Sequence, residues 1–236
     1  MIAASTGRPL IVAIDGPSGV GKTTVAKRVA ERLGIPYLST GAMYRALALK
    51  ILESGTDPDD RSAVEAIVAR TDVQLVLDGD TLQVHLDGEN PGSRAYSLAV
   101  SQLTSRISAY AGVRERMVEL QREGASRQGA VLEGRDIGTR VFPEARHKFY
   151  LEASADVRAR RRWLQLTESA GDDVELSEVL SEVQDRDARD SNRTESPLTR
   201  NSSYTLVVTD ALTADQVAAG IVEHVLVAEA NLSSQR

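Results

Sequence analysis

The chain has 236 residues, a formal net charge of −6 and no cysteine. The length suits one domain with insertions or two small domains, and the acidic balance argues against a general nucleic-acid-binding protein. Without cysteine, disulfides, thiolate metal sites and cysteine nucleophiles are excluded. The three histidines, His85, His147 and His224, are far apart in the sequence, so we expect no zinc site.

The beginning of the chain, MIAASTGRP, contains no long apolar run. No window of the sequence reaches the roughly 18 uninterrupted apolar residues that a membrane-spanning helix needs. We therefore expect no signal peptide, no membrane partner and a location in the cytoplasm.

The first quarter of the chain alternates apolar runs with helical patterns. Residues 10–15, LIVAID, are continuously apolar up to the final aspartate, which is typical of a buried parallel strand. After a glycine-rich segment, a helical pattern is closed by Gly34. A short strand is predicted at 37–40 and a second helix at 41–55, and the acidic turn 56–60 is expected to open the next helix.

The pattern changes at residues 73–89, where two β-rich runs flank Asp78-Gly79-Asp80. An Asp-Gly pair between two strands is a strong signal for a β-hairpin. Helices are predicted near 96–109 and 112–124. An antiparallel hairpin in a chain that otherwise alternates strands and helices indicates an inserted subdomain.

The alternation resumes in the second half of the chain. Strands are predicted at 130–134, 148–153 and 205–210, and helices at 154–170, 174–190 and 213–230. Thr213 and Gln216 are predicted to form a capping box at the last helix, and the tail 231–236 is expected to fray. Strands that alternate with helices predict an α/β fold with a parallel sheet covered on both faces.

A phosphate-binding motif follows the first predicted strand. Gly16, Gly21, Lys22 and Thr23 fit the pattern G-x-x-x-x-G-K-[ST]. The glycines allow a tight turn whose N–H groups surround phosphate, and the helix that follows adds its positive dipole end. Lys22 would reach the β- and γ-phosphates, and the Thr23 hydroxyl would ligate Mg²⁺. The strand before the motif and the helix after it favour this interpretation over a glycine-rich turn without a ligand.

Other features of the sequence narrow the class of nucleotide-binding protein. No Asn is followed by Lys, so the guanine-reading N-K-x-D motif of GTPases is absent, as is a D-x-x-G switch motif. No apolar strand ends in the Asp-Glu pair that motor and helicase ATPases carry. These observations leave a small kinase that passes the γ-phosphoryl group to a bound acceptor.

Two segments are candidates for the acceptor site. TGAMYR begins with Thr40, which is placed to cap a helix, and Tyr44 and Arg45 follow one turn later. The alternative is a plain helix cap with an exposed arginine. EGRDIGT places Arg135 and Asp136 between glycines at the end of a predicted strand, where catalytic groups of open α/β sheets lie. The alternative there is a salt-bridged turn.

In order and together, these motifs resemble those of the bacterial-type cytidylate kinases. The resemblance runs from about residue 10 to residue 226 and rests on IDGPSGVGKTT, STGAMYR, SRISAYAGVR, EGRDIGTRVFP, RRRWLQL and RDARDSNR. It implies a P-loop NTPase of the nucleoside-monophosphate-kinase type. Such a fold has a five-stranded parallel sheet flanked by helices, an acceptor-binding insertion that contains the hairpin, and a short helical lid. The implied parts of this single kinase unit are a core at about 8–60, 128–155 and 203–230, an insertion at about 61–127 and a lid at about 156–195.

The resemblance also implies the reaction and its residues. ATP, with Mg²⁺, would phosphorylate CMP and dCMP to CDP and dCDP, and the enzyme would be a monomer that binds no nucleic acid. ATP would be held by Gly16, Pro17, Ser18, Gly19, Val20, Gly21, Lys22, Thr23 and Thr24. The acceptor would be held by Thr40, Tyr44, Arg45, Ser105, Arg114, Arg135 and Asp136, and from the lid by Arg186, Asp190 and Arg193. The implied catalytic residues are Lys22, Arg162, Arg186 and Arg193, and the implied metal ligand is Thr23.

The sequence departs from the family pattern at two places. Thr40 stands where relatives often have Ser, so the hydroxyl is kept and a methyl group is added. The phosphate loop closes with GKTT rather than the GKGT or GKST of many relatives, a change that we expect to be silent.

The segment QDRDARDSNR is dense in charge. Arg186, Arg189 and Arg193 are spaced to share one helix face, and Asp190 is placed to hold Arg186 when no ligand is bound. A lid that closes would bring these cations onto the phosphates and exclude water. The alternative is a solvated helix face with salt bridges. For Arg189, a site role and a simple pairing with Asp185 both stay open.

Two other functions also stay open at this point. One is a kinase for another nucleoside monophosphate or another small anionic acceptor, and the other is a nucleotide-binding regulatory module without catalysis. The arginines on the acceptor and lid sides argue against the module, because a sensor needs no second anion site. No general base is required for a kinase of this type, since the accepting phosphate oxygen is already anionic.

Overall fold

The computed structural model describes residues 9–170 and 174–234. In these ranges the strands are β1 (Ile11–Asp15), β2 (Tyr37–Ser39), β3 (Val73–Asp78), β4 (Thr81–Leu86), β5 (Ala130–Gly134), β6 (His147–Glu152) and β7 (Thr205–Val208). They form one sheet in the order β3-β4-β2-β5-β1-β6-β7. The strands β2, β5, β1, β6 and β7 run parallel, which confirms the predicted α/β fold with its parallel sheet.

The predicted hairpin is present as the antiparallel pair β3–β4. It does not form a sheet of its own, because Thr81 pairs with Tyr37 in parallel and the Tyr37 N–H donates to the Asp80 carbonyl at 2.8 Å. The hairpin therefore covers the edge of β2 and extends the expected five-stranded sheet to seven strands. An edge strand leaves its polar backbone groups unpaired, so this pairing satisfies groups that would otherwise be exposed.

The helices in the described ranges are α1 (Lys22–Leu33), α2 (Thr40–Glu53), α3 (Arg61–Arg70), α4 (Leu98–Ile107), α5 (Ala111–Ser126), α6 (Ala155–Ala170), α7 (Leu176–Asn192) and α8 (Ala214–Ser234). Two short turns were not predicted from the sequence. They are a 3₁₀ turn at Gly92–Tyr96 and a π-helical turn at Ile137–Val141.

The sheet is covered on both faces, as the alternation of strands and helices predicted. Along β1, Val12 and Ile14 join one apolar cluster with α1 and α8, whereas Ala13 joins a second cluster with the helices α2 to α5. Successive residues of a strand face opposite sides of the sheet, so the two clusters are the cores on its two faces. None of the helices in the described ranges is long and apolar enough to cross a membrane.

Local signals in the sequence set several helix ends. Gly34 ends α1 in the left-handed conformation with φ 64°, and the Asp60 side chain caps α3 by accepting from the Ala63 N–H at 3.0 Å. At α8 the predicted capping box is confirmed, because Thr213 and Gln216 exchange hydrogen bonds of 2.9 and 3.2 Å. The expectation of a frayed tail is wrong for 231–234, which continue α8, while the last two residues of that tail lie outside the described ranges.

Candidate active site

The carboxyl ends of the parallel strands open onto a cleft of about 1040 Å³. Open α/β sheets bind their ligands at this edge. The predicted site residues that line the cleft are Ser18, Gly19, Val20, Gly21, Lys22, Thr23, Thr24, Thr40, Tyr44, Arg45, Ser105, Arg114, Arg135, Asp136, Arg162, Arg186, Asp190 and Arg193. Gly16 and Pro17 are buried at the base of the phosphate loop. The structure thus brings together residues from both halves of the chain.

The phosphate loop connects β1 to α1. A Cβ atom on Gly16 would lie 2.4 Å from the Leu151 carbonyl oxygen, so the close approach of the loop to β6 requires glycine here. The Lys22 ammonium is buried and donates to the Pro17 carbonyl at 2.7 Å. Thr23 and Thr24 are exposed in the first turn of α1, where the helix dipole favours an anion.

The charge of Lys22 has little compensation from the protein. Burial, together with the charges of Arg135 and Arg186, lowers the pKa of Lys22 well below its ordinary value, although Glu133 and Asp15 oppose this effect. A phosphate group bound by the loop would supply the missing negative charge. Lys22 is therefore placed as a cation that needs an anionic ligand.

Glu133 is a buried residue of this site that the sequence analysis did not single out. It lies near the end of β5, next to β1, and its Oε1 accepts from Thr23 Oγ1 at 3.2 Å and from Ser39 Oγ at 2.9 Å. The signal in the sequence that could identify it is a single carboxylate near the end of an apolar strand. Within the described residues, no group of three or more His, Asp or Glu side chains could hold a metal ion.

A buried ion pair lies among the residues that are predicted to hold the acceptor. Arg114 on α5 donates to the carboxylate of Asp136, and both side chains are almost fully buried. Arg114 also donates to the Ser108 carbonyl at 2.9 Å and lies over the ring of Tyr44, with its guanidinium carbon 5.6 Å from the ring centroid. The pair therefore presents a fixed acceptor and a fixed donor to the cleft. Ser105 lines the cleft from α4.

The prediction that Thr40 caps its helix is wrong. Ser39 is the cap, because its Oγ accepts from the Ala42 N–H at 3.3 Å. Thr40 is already in the first turn of α2, and its hydroxyl donates to the Glu133 carbonyl at 2.8 Å. Arg45, one turn later, lies over the ring of Tyr96 with its guanidinium carbon 5.4 Å from the centroid.

The charged segment at the end of α7 differs from the prediction in its pairing. Asp190 does not hold Arg186 by a hydrogen bond; its Oδ2 accepts from Arg135 Nε at 2.8 Å. Arg193 directly follows α7 in an extended conformation, so it does not share a helix face with Arg186 as predicted. Arg189 is exposed and donates to the Asp185 carbonyl at 3.3 Å.

Four cleft arginines carry buried nitrogen atoms without a hydrogen-bond partner among the described residues: Arg45 Nε, Arg114 Nε, Arg186 Nε and Arg193 Nη2. Burial lowers the pKa of Arg45, Arg186 and Arg193, and that of Arg186 falls to about 10. Buried polar groups are nearly always paired, and an unpaired buried charge is costly. The cleft therefore has more donors and positive charge than the protein itself satisfies.

The helices α6 and α7 pack against each other beside the cleft. Arg162 on α6 lines the cleft and donates to Gln165 Oε1 at 3.1 Å. Arg158, on the same helix, was not singled out from the sequence. It forms a short ion pair with Asp187 of α7 and donates to the Ser18 carbonyl at 3.0 Å, so it ties both helices to the phosphate loop.

Several known proteins are similar to this chain. The sequence model of the family described as cytidylate kinase matches residues 12–226. A cytidylate kinase from Corynebacterium diphtheriae is 45% identical over 209 residues, which cover 88% of this chain and 90% of that protein. One from Syntrophotalea carbinolica is 43% identical over 210 residues, 89% of each chain. A solved structure of an uncharacterized protein from Eubacterium ventriosum has a TM-score of 0.50 at 15% identity over 92% of this chain and 98% of that one, which supports the fold alone.

Proposed function

Because the chain belongs to the cytidylate kinase family, we propose that it transfers the γ-phosphoryl group of ATP to CMP and dCMP. The products are ADP with CDP or dCDP, a step of pyrimidine nucleotide metabolism, and the enzyme acts as a monomer in the cytoplasm. The observation that carries the proposal is that guanidinium nitrogens of Arg45, Arg186 and Arg193 have no hydrogen-bond partner within the described ranges of the chain. Two phosphorylated substrates would supply the anions that these donors need.

ATP is the proposed donor on the phosphate-loop side of the cleft. Residues 16–24 would surround its phosphates with backbone N–H groups, and Lys22 would contact the β- and γ-phosphates. The exposed Thr23 hydroxyl suits Mg²⁺, a hard cation that keeps several waters and takes one or two protein oxygens together with substrate phosphates. Mg²⁺ would neutralise phosphate charge there, and Glu133, which accepts from Thr23, would accept from its waters.

CMP is the proposed acceptor on the opposite side of the cleft. Thr40, Tyr44, Arg45, Ser105, Arg114, Arg135 and Asp136 are proposed to hold it. The Asp136–Arg114 pair supplies one acceptor and one donor with little freedom to move, because both side chains are buried. This arrangement suits the cytosine edge, which offers an amino donor at N4 and an acceptor at N3.

Phosphoryl transfer asks the protein mainly for positioning and for neutralisation of charge on the transferring group. Lys22, Arg162, Arg186 and Arg193 are proposed to supply that charge. Segment 156–195, with α6 and α7, is the proposed lid, and its closure would exclude the water that could otherwise hydrolyse ATP. The accepting phosphate oxygen of CMP is already an anion, so the proposal needs no general base.

A coupled assay with ATP and a panel of CMP, dCMP, UMP, AMP and shikimate tests the proposal. We expect the highest kcat/KM with CMP and dCMP. A higher value with another acceptor would instead identify a different small-molecule kinase. ATP binding without transfer to any of the five compounds would point to a regulatory module. Omission of Mg²⁺ is the matched control, and transfer to CMP should then be lost.

A further inference from the structure

The carboxylate of Asp15 is fully buried at the end of β1, directly before the phosphate loop. Its Oδ1 accepts from the Ile137 N–H at 3.0 Å, and its Oδ2 accepts from the Gly138 N–H at 2.9 Å and from the Tyr204 hydroxyl at 2.7 Å. None of the roles proposed above uses this carboxylate. It is nevertheless a charged group that the fold buries completely, which is costly unless the charge is well hydrogen-bonded.

The two backbone donors belong to the segment that follows the acceptor residues. Ile137 and Gly138 open the π-helical turn directly after Arg135 and Asp136. The peptide group is planar, so the bond from Asp15 to the Ile137 N–H fixes the plane that joins Asp136 to Ile137. The backbone of Asp136 has φ −146° and ψ 24°, which belongs neither to a helix nor to a strand. A conformation of this kind persists when the surroundings fix it.

The packing around Gly138 is close. A Cβ atom on Gly138 would lie 2.7 Å from the Tyr204 hydroxyl oxygen and 2.9 Å from Lys148 Cδ. Glycine lets the backbone approach Tyr204 and Lys148 this closely, and a larger residue would force one of these side chains to shift. The turn is therefore held between Asp15 on β1 and the residue that precedes β7.

We infer that Asp15 is a positioning residue for the acceptor site: by holding the Ile137 and Gly138 N–H groups, it sets the direction in which Arg135 and Asp136 point. Asp15 directly precedes Gly16 of the phosphate loop, so it also links the Ile137–Gly138 turn to that loop. The distance between the ATP side and the CMP side of the cleft is thereby kept constant. The inference rests on the proposed function, because the role assigned to Asp15 is to orient the residues that would bind CMP.

The ionisation of Asp15 follows from its surroundings. Burial raises the pKa of Asp15 to about 6, although the hydrogen bonds from Gly138, Tyr204 and Ile137 oppose this effect, and the negative charge of Asp136 adds to it. The charge of Asp15 also acts to raise the pKa of Lys22 and that of Tyr150. Below about pH 6 the carboxyl becomes protonated, and it can no longer accept three hydrogen bonds as an anion.

The first test is Asp15→Asn. The amide oxygen can accept from one backbone N–H, but the amide NH₂ then faces another donor, so the turn must shift. We expect the CMP-to-UMP ratio of kcat/KM to fall about tenfold or more, since one mismatched hydrogen bond is worth about that factor. The KM for CMP should rise more than the KM for ATP. A purely structural role would instead lower the activity on both nucleotides together.

Glu229→Gln is the matched control. Glu229 is a buried carboxylate on α8 that pairs with Arg146 and His147, and it does not line the cleft. The control makes the same chemical change and should lower the thermal stability while the CMP-to-UMP ratio stays at the wild-type value. If Asp15→Asn folds and keeps the wild-type ratio, the inference is overturned.

Tyr204→Phe keeps the inference testable if Asp15→Asn does not fold. Loss of the Tyr204 hydroxyl removes a hydrogen bond that favours the ionised carboxylate, so the pKa of Asp15 should rise. The acid limb of kcat/KM for CMP should then move to higher pH, while titration of the substrate phosphate is the same for both enzymes. An acid limb that stays in place would overturn the inference.

The wild-type enzyme separates this inference from the proposed function. A wild type that does not phosphorylate CMP would overturn the proposed function, and the inference would fall with it. A wild type that is active on CMP, with neither the ratio nor the acid limb changed in the two variants, would overturn the inference alone.

Discussion

Asp190 near the end of α7 lies 2.8 Å from Nε of Arg135, fifty-five residues earlier in the chain. The same carboxylate is 3.8 Å from Nη1 of Arg193, which follows the helix. Burial alone would raise the pKa of Asp190, but the charges of Arg135 and Arg186 hold it below its ordinary value. The carboxylate on α7 thus holds Arg135, whereas Arg186 Nε has no hydrogen-bond partner in the part of the chain that the structure describes.

This pairing leads to a prediction for the two arginines of the proposed lid, Arg186 and Arg193. Arg186→Ala and Arg193→Ala should lower kcat more than the affinity for ATP, because contacts made mainly in the closed state act on the transition state. Steady-state kinetics with ATP and CMP varied separately would measure the two effects. Arg189→Ala is the matched control from the same segment, since Arg189 is exposed and bonds only to a backbone carbonyl of its own helix among the described residues. Normal kinetics with a lower melting temperature would mean that the segment is a solvated helix face.

Lys22→Ala tests the phosphate loop directly. The substitution removes the buried ammonium that donates to the Pro17 carbonyl and that would follow the γ-phosphate. We expect kcat to fall roughly a hundredfold or more while the fold stays intact, because the loss of one group that stabilises charge in the transition state typically has an effect of this size. Circular dichroism would check the fold. Lys50→Ala is the control, because Lys50 pairs with Asp87 at the surface. Near-normal turnover of Lys22→Ala would contradict the assignment.

A third prediction concerns stability rather than catalysis. Thr213→Ala removes one half of the capping box at α8, and loss of such a cap costs about 1 kcal/mol. For a chain of this length, the melting temperature should fall by about 2–4 °C. Thr213→Ser keeps the hydroxyl and should stay close to the wild type. If both variants melt at the same temperature, the hydroxyl does not contribute to the cap.

The sequence predicted well whatever depends on local pattern. The apolar run before Gly16, the glycine that ends α1, the hairpin turn at Gly79 and the capping box at Thr213 all involve residues close in the chain. The backbone conformation or hydrogen bonding of each feature depends on a few residues that are adjacent in the sequence. A short stretch of sequence is therefore enough to identify it. These signals were enough to give the alternation of strands and helices, and with it the parallel sheet.

The sequence did not predict pairings between distant segments. Helical spacing predicts that Asp190 holds Arg186, because these residues are four positions apart in one helix. The fold instead places Arg135, which is distant in the sequence, within hydrogen-bond distance of Asp190. The contacts of Glu133 and Asp15 likewise depend on the tertiary fold, because their hydrogen-bond partners lie on other elements of the chain. The edge to which the hairpin attaches also depends on the tertiary fold, which brings Asp80 beside Tyr37.

Asp136 and Arg114 form a buried pair, and we propose that it decides base choice at the acceptor site. Cytosine offers a donor at N4 and an acceptor at N3, so it suits a carboxylate and a guanidinium. Uracil offers an acceptor at O4 and a donor at N3, so both groups would face the wrong partner. At about 1.5–3 kcal/mol for a hydrogen bond to a charged group, one mismatch gives roughly ten- to a hundredfold discrimination, and two give more.

Asp136→Asn should therefore blunt the preference for cytosine, since an amide can turn its NH₂ group toward O4 of uracil. We expect kcat/KM for CMP to fall steeply while the value for UMP falls little or rises, and the CMP-to-UMP ratio should drop by roughly tenfold or more. The measurement is this ratio in wild type and variant, with the melting temperature as a check, because the change also removes the charge that pairs with Arg114. Asp215→Asn makes the same substitution at an exposed ion pair with Arg28 and should keep the wild-type ratio. An unchanged ratio in Asp136→Asn would mean that Asp136 does not contact the base and acts only by holding Arg114.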